Sequence, residues 1–139
     1  MIGLDTNVLA RYYVDDATDT EAAKQRLAAK KLIESGKALW VAKTVLLELE
    51  WVLRGYYEFA RQDVAIVLSH VLSSEQISVE DEPAVQRALD GYTAGLDFAD
   101  ALHHASAVQC AEFASFDDKG FARKTAKLSL LPRVVIPSP

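Results

Sequence analysis

Cysteine is almost absent from this sequence: Cys110 is the single one in 139 residues. With no second thiol there is no internal disulfide, and a reducing compartment, the cytoplasm, is the expected setting. Also missing is any apolar run of the length a bilayer demands, which excludes a membrane-spanning helix. The opening MIGLDTNV carries no basic segment and reaches Asp5 before an apolar signal core can develop, so export is not expected. Positive charge is short too: 15 Lys and Arg stand against 20 Asp and Glu, a net charge of −5. That balance argues against holding nucleic acid by bulk electrostatics and leaves a local basic patch for the purpose. Internal repeats and low-complexity linkers are lacking, and a chain of this size suits one domain, 1–139, with a core of its own.

What is present is an alternation of short apolar runs with helical periodicity, the pattern of an α/β domain built on a mostly parallel sheet. Strands are expected at Met1–Leu4, Leu39–Ala42, Ile77–Val79, Phe113–Phe116 and Val134–Ile136. Between them, Thr18–Ser35 reads as a helix capped by Thr18, with Glu21 at the reciprocal position and Gly36 as the stop. Lys43–Tyr57 carries Leu46, Leu49, Leu53 and Tyr57 on one stripe, with Glu48 displaced from it. Further helices fit Gln62–Ser73, Pro83–Tyr92, Phe98–Cys110 and Lys119–Lys127.

Four carboxylates share a context. Asp5 follows the first strand, Glu48 lies on the helix after the second, Asp100 sits in the first turn of a helix, and Asp117 follows a later strand. In open parallel sheets, ligands bind beyond the carboxyl ends of the strands, which gives Asp5 and Asp117 a functional address. Each acid interrupts an apolar neighbourhood with no matching Arg or Lys set, and an ionised carboxylate in such surroundings needs a partner. Two carboxylates about 5 Å apart repel by roughly 3 kcal/mol at an effective dielectric of about 20, so several together bind protons or a cation. Oxygen ligands of this kind, with Thr6, Asn7 and Ser115 as neutral neighbours, suit Mg²⁺ or Mn²⁺ better than Zn²⁺. Singly, each acid has a plainer reading. Asp5 is a good helix cap, Glu48 one more charge on a helix face, and Asp117 or Asp118 a cap for the helix that follows. Asp97, three residues before Asp100, reads as an N-cap and accessory ligand. Glu50 is the better choice for plain solvation. His103 and His104 fall within reach of Asp100 but suit packing or hydrogen bonding, His70 reads as an ordinary helix residue, and Cys110 as a small core hydrophobe.

The segments LDTNVLARYYVDD, VLLELEWVLRGYY, DFADALHHASA and FASFDDKGFARK, in this order and spacing, resemble the PIN-domain family over essentially the whole chain, and specifically the VapC-like toxins of type II toxin–antitoxin pairs. The resemblance implies a PIN-like fold, a central, mostly parallel sheet of about five short strands flanked by helices. It implies that Asp5, Glu48, Asp100 and Asp117 surround Mg²⁺ or Mn²⁺ with Asp97 beside them, and that the activity is endoribonucleolytic hydrolysis of RNA phosphodiester bonds. Ser115 stands where the family usually has Thr and keeps the hydroxyl; Thr6, Asn7 and Ser115 would orient ligands or waters. Arg11, Lys43, Arg54, Arg123 and Lys124 flank the motifs and are candidate RNA contacts or a solvated surface. Trp51, Leu53, Tyr56, Tyr57 and Phe59 are more large apolar residues than one small domain comfortably conceals. The resemblance implies a homodimer and a groove for a VapB-like antitoxin there, against the alternative that most are core. Two rival readings stay open: a catalytically silent PIN-like module that binds RNA or protein, and a Mg²⁺-dependent aspartyl phosphotransfer domain.

Overall fold

The computed structural model describes residues 1–139 and resolves them into two compact units, Met1–Glu82 and Pro83–Pro139. In the first unit the order is β1 (Ile2–Gly3), α1 (Thr6–Tyr13), α2 (Thr20–Ile33), β2 (Leu39–Val41), α3 (Lys43–Trp51), a π-helical turn (Val52–Tyr56), α4 (Arg61–Ser73) and β3 (Ile77–Val79). The strands are parallel in the order β1-β2-β3, Ile2 standing opposite Leu39 and Leu39 opposite Ile77. Parallel neighbours need a helical crossover, and α1 with α2, then α3 with α4, supply the two. The central strand buries Leu39 and Val41 completely, and around them Leu9 of α1, Leu46 and Leu49 of α3 and Val64, Leu68 and Val71 of α4 lose all exposure. Spacings of three and four residues place these side chains on single helical stripes. Apolar burial of this kind stabilises by about 25 cal/mol per Å² removed from water.

The cap of α2 is Asp19, one residue later than the Thr18 expected. The Asp19 carboxylate accepts the amides of Glu21 and Ala22, while Thr18 donates its hydroxyl to Asp16. Both residue types cap well, and the carboxylate brings its charge to the positive end of the helix as well. Gly36 ends the segment in the left-handed region, at φ 81°, where glycine carries no steric penalty.

The second unit contains α5 (Glu82–Thr93, whose first residue belongs to the first unit), α6 (Phe98–Ser106), β4 (Glu112–Ala114), a second π-helical turn (Asp118–Ala122), α7 (Arg123–Lys127) and β5 (Arg133–Val135). β4 and β5 pair in parallel through Phe113 and Val134. Val85, Tyr92, Leu96 and Phe98 form the core with Phe121. His104 is buried among them, edge-on to Phe113 and Phe121, and a ring nitrogen lies 2.6 Å from the carbonyl oxygen of Pro132. That is a packing and hydrogen-bonding role.

The α/β class and parallel pairing stand, but the five strands form a three-stranded and a two-stranded ladder instead of one five-stranded sheet. The helix at Phe98 stops at Ser106, four residues short of its expected end. The amides of Ala107 and Cys110 turn back to the carbonyls of His104 and Ala107. Cys110 is therefore exposed, not part of the core. No helix is long and apolar enough to cross a membrane.

Candidate functional site

Asp5 leaves β1 through the buried Leu4 and caps α1: its Oδ1 accepts the amide of Thr6 at 2.8 Å. The capping reading and the site reading coincide, because the same side chain lines a cavity of about 270 Å³ together with Thr6, Asn7, Arg11, Glu48 and Tyr57. Glu48 enters from α3 and is exposed, on the opposite side of the helix from the core stripe of Leu46 and Leu49. Thr6 is almost fully buried, and its Oγ1 is the one enclosed side-chain polar atom with no hydrogen-bond partner. An enclosed hydroxyl without a partner costs about 1–3 kcal/mol, so its place in a residue that lines the same cavity as two carboxylates is that of a group suited to a ligand or a bound water.

Glu50, expected to be solvated, is 4% exposed, and its Oε2 accepts from Arg54 Nε at 2.7 Å. The reversal has a simple origin. Glu48 and Glu50 lie two apart and so on different faces of α3, and Glu50 has a cation four residues on, the spacing at which side chains meet. Glu48 is left as the acid available to the cavity.

In the second unit the acids gather around the start of α6. Asp97 caps the helix through Oδ2, accepting the Asp100 amide at 3.0 Å. Asp117 begins the second π-helical turn, its Oδ1 accepting the Gly120 amide at 2.9 Å while its own amide donates to Ser115 Oγ at 3.1 Å. The Asp100 carboxyl is pushed above its ordinary range, first by burial, then by the negative charges of Asp97 and Asp117, with partial relief from His103. Of the doubled acids Asp117 and Asp118, the first therefore acts on Asp100; the second is held by Arg123, which donates Nε and Nη2 to it at 3.1 and 2.9 Å. Nowhere do three or more acidic, histidine or cysteine side chains converge into a cage able to hold an ion. What the units offer is an Asp5–Glu48 cavity in one and an Asp97–Asp100–Asp117 group in the other. The donors within each group are hard oxygens, the ligand type that suits Mg²⁺ or Mn²⁺ better than Zn²⁺.

The candidate cations divide sharply. Lys43 pairs with Asp81 at 3.1 Å, Arg54 with Glu50 and Arg123 with Asp118, while Lys124 reaches the carbonyl of Gly95 at 3.4 Å. Arg11 meets neutral partners, donating Nε to Gln25 Oε1 at 2.8 Å and Nη1 to Tyr57 Oη at 3.3 Å. Tyr57 was expected on the core stripe or a partner surface, not in the cavity. The π-helical turn moved it, and no residue in VLRGY signals such a turn in a single sequence.

The family model of the PIN domain matches residues 2–127, and the chain belongs to the PIN domain family. It is similar to the VapC ribonuclease of Aquifex aeolicus (strain VF5), with 29% identity over 90 residues. That match spans 65% of this chain and 65% of the relative's own length.

Proposed function

We propose that the chain is a metal-dependent endoribonuclease, the toxin of a VapBC-type toxin–antitoxin pair, acting in the cytoplasm as a single PIN domain over residues 1–139. The observation that carries this reading is the cavity lined by Asp5, Glu48 and Thr6, whose enclosed hydroxyl has no partner. PIN-domain membership and the likeness to a VapC ribonuclease support the choice of reaction.

Asp5, Glu48, Asp100 and Asp117 would hold Mg²⁺ or Mn²⁺, with Asp97 as an accessory. When bound, the ion lowers the pKa of its water and offsets charge on the phosphate oxygens. The chain's own residues do the rest. Thr6 and Asn7 orient ligands or water beside Asp5, and Ser115 Oγ, by accepting the Asp117 amide, sets that residue's place at the turn. Water adds to phosphorus as Glu48 or Asp117 accepts its proton, one P–O ester bond breaks, and the departing oxygen takes a proton. Among the sequence's candidate RNA contacts, Arg11 lines the acid cavity, whereas Lys43, Arg54 and Arg123 neutralise acids of their own.

Trp51 and Tyr56 are 63% and 74% exposed, while Leu53 between them is fully buried. A second copy of the chain and a segment of a VapB-like antitoxin would cover the exposed pair. Sedimentation of a monomer at high micromolar concentration would count against the dimer.

The deciding experiment is cleavage of total cellular RNA by the purified protein with Mg²⁺ or Mn²⁺, with EDTA and Asp5→Asn as controls. Discrete products that require both metal and Asp5 support the nuclease. Full activity in Asp5→Asn sinks the site, and metal binding without cleavage favours a silent binding module.

A further inference from the structure

We propose that Arg11 and Tyr57 form a clamp for an RNA phosphate in the cavity lined by Asp5 and Glu48, an inference that rests on the nuclease reading above.

The first support is how Tyr57 comes to be there. Residues four apart on an α-helix share a face, so an unbroken α3 would set Tyr57 behind the buried Leu53. Instead the helix widens over Val52–Tyr56, and the Tyr57 amide closes the wide turn by donating to the Val52 carbonyl, five residues back, at 3.1 Å. Leu53 stays in the core, while Val52 and Tyr57 line the cavity. Such turns within α-helices occur frequently at functional sites.

The second support is the state of the two polar groups. Tyr57 Oη accepts from Arg11 Nη1, which leaves its own O–H to donate elsewhere. Of the five guanidinium N–H groups, one goes to Gln25 and one to Tyr57, leaving three. No carboxylate pairs with Arg11, whereas Lys43, Arg54 and Arg123 each have one. The cavity thus combines two acids that repel a phosphodiester with one cation whose charge no acid cancels. A guanidinium fork suits two phosphate oxygens, and the phenol adds a third donor that carries no charge.

The test is binding of a fluorescein-labelled single-stranded RNA of mixed sequence, in EDTA, across a salt series, with thermal melts of every variant. Arg11→Gln should weaken binding at least about tenfold and lower the slope of log affinity against log salt by about 0.7, the loss of one phosphate contact. Arg11→Lys should keep the slope and lose affinity, because the charge stays and the fork is gone. Tyr57→Phe should keep the slope and weaken binding about tenfold, as expected for one hydrogen bond to a charged group. Wild-type affinity and slope in Arg11→Gln and Tyr57→Phe would overturn the clamp. Should Arg11→Gln fail to fold, Arg11→Lys decides: unchanged affinity overturns the clamp, and weaker binding at constant slope supports it. Cleavage with Mg²⁺ separates the two readings. A wild type that cuts RNA alongside variants that bind normally removes the clamp alone. A wild type that never cuts, with the binding pattern intact, removes the nuclease and keeps the clamp.

Discussion

The carboxylate of Asp117 accepts the amide of Gly120 at 2.9 Å, and a β-carbon at position 120 would lie 2.8 Å from both of its oxygens. No rotation about the backbone of residue 120 is needed to see the conflict; the carboxylate itself must move. Gly120→Ala should therefore displace Asp117 and cut metal-dependent RNA cleavage by about tenfold or more, at the scale of losses seen when a metal site's supporting contacts are disturbed. The melting temperature should change little in comparison. Cleavage rates and thermal melts of the purified variant check both parts, and normal activity would mean that Asp117 contributes nothing at its present position.

Asp100 sets a pH dependence. Its folded pKa is raised above the ordinary 3.8 by burial and by Asp97 and Asp117. A raised carboxyl contributes stability while protonated, fully below its unfolded pKa, and loses it as pH climbs through the folded value. At neutral pH in EDTA the ionised group opposes folding. Asp100→Asn should melt higher than wild type there, and the two curves should converge as pH falls below 3.8. Melting temperatures across that range test the direction. A variant less stable than wild type at neutral pH would show that the carboxylate has a stabilising partner.

Arg54 is a charged partner of the buried Glu50 carboxylate. Removing it by Arg54→Ala takes a charged donor from a buried carboxylate, at a cost of roughly 1–3 kcal/mol, below the full figure for buried pairs because Arg54 itself is partly exposed. Glu48→Ala, on the same helix but exposed, should leave stability within about 0.5 kcal/mol of wild type. Urea unfolding of both variants measures the contrast, which should appear as a large midpoint shift for Arg54→Ala alone.

Thr6 offers the opposite trade. Its hydroxyl is enclosed without a partner, so Thr6→Val, which removes the polar atom and keeps the shape, should be neutral or stabilise the metal-free protein by about 1 kcal/mol. The same change should weaken Mn²⁺ binding roughly tenfold if the hydroxyl orients a ligand or water. Calorimetric titration with Mn²⁺ and urea melts in EDTA read the two effects separately. Loss of stability in EDTA would mean that the hydroxyl already has a use without metal.

Much of the frame could be read from residue order because the signals were local and repeated. Leu46, Leu49 and Leu53 recur at helical spacing and all become core, and Asp5 follows an apolar start directly, so its dual place as cap and cavity wall was legible. Residue order is silent where two neighbours are chemically equivalent or where geometry leaves no compositional mark. Thr18 and Asp19 are adjacent and cap equally well in principle. Glu48 and Glu50 were separable only through Arg54, whose i,i+4 spacing from Glu50 was in the sequence and was the signal to weigh. Tyr57 left its stripe because five residues wound as a π turn, and Cys110 left the core because a helix stopped without Gly or Pro to announce it.

The exposed thiol of Cys110 bears on how any dimer should be judged. Two copies stored in air can join through their Cys110 sulfurs and travel as a pair in size measurements without recognising one another. A dimer that survives reductant, or that forms equally in Cys110→Ser, reflects surface complementarity; one that vanishes on reduction is a product of storage.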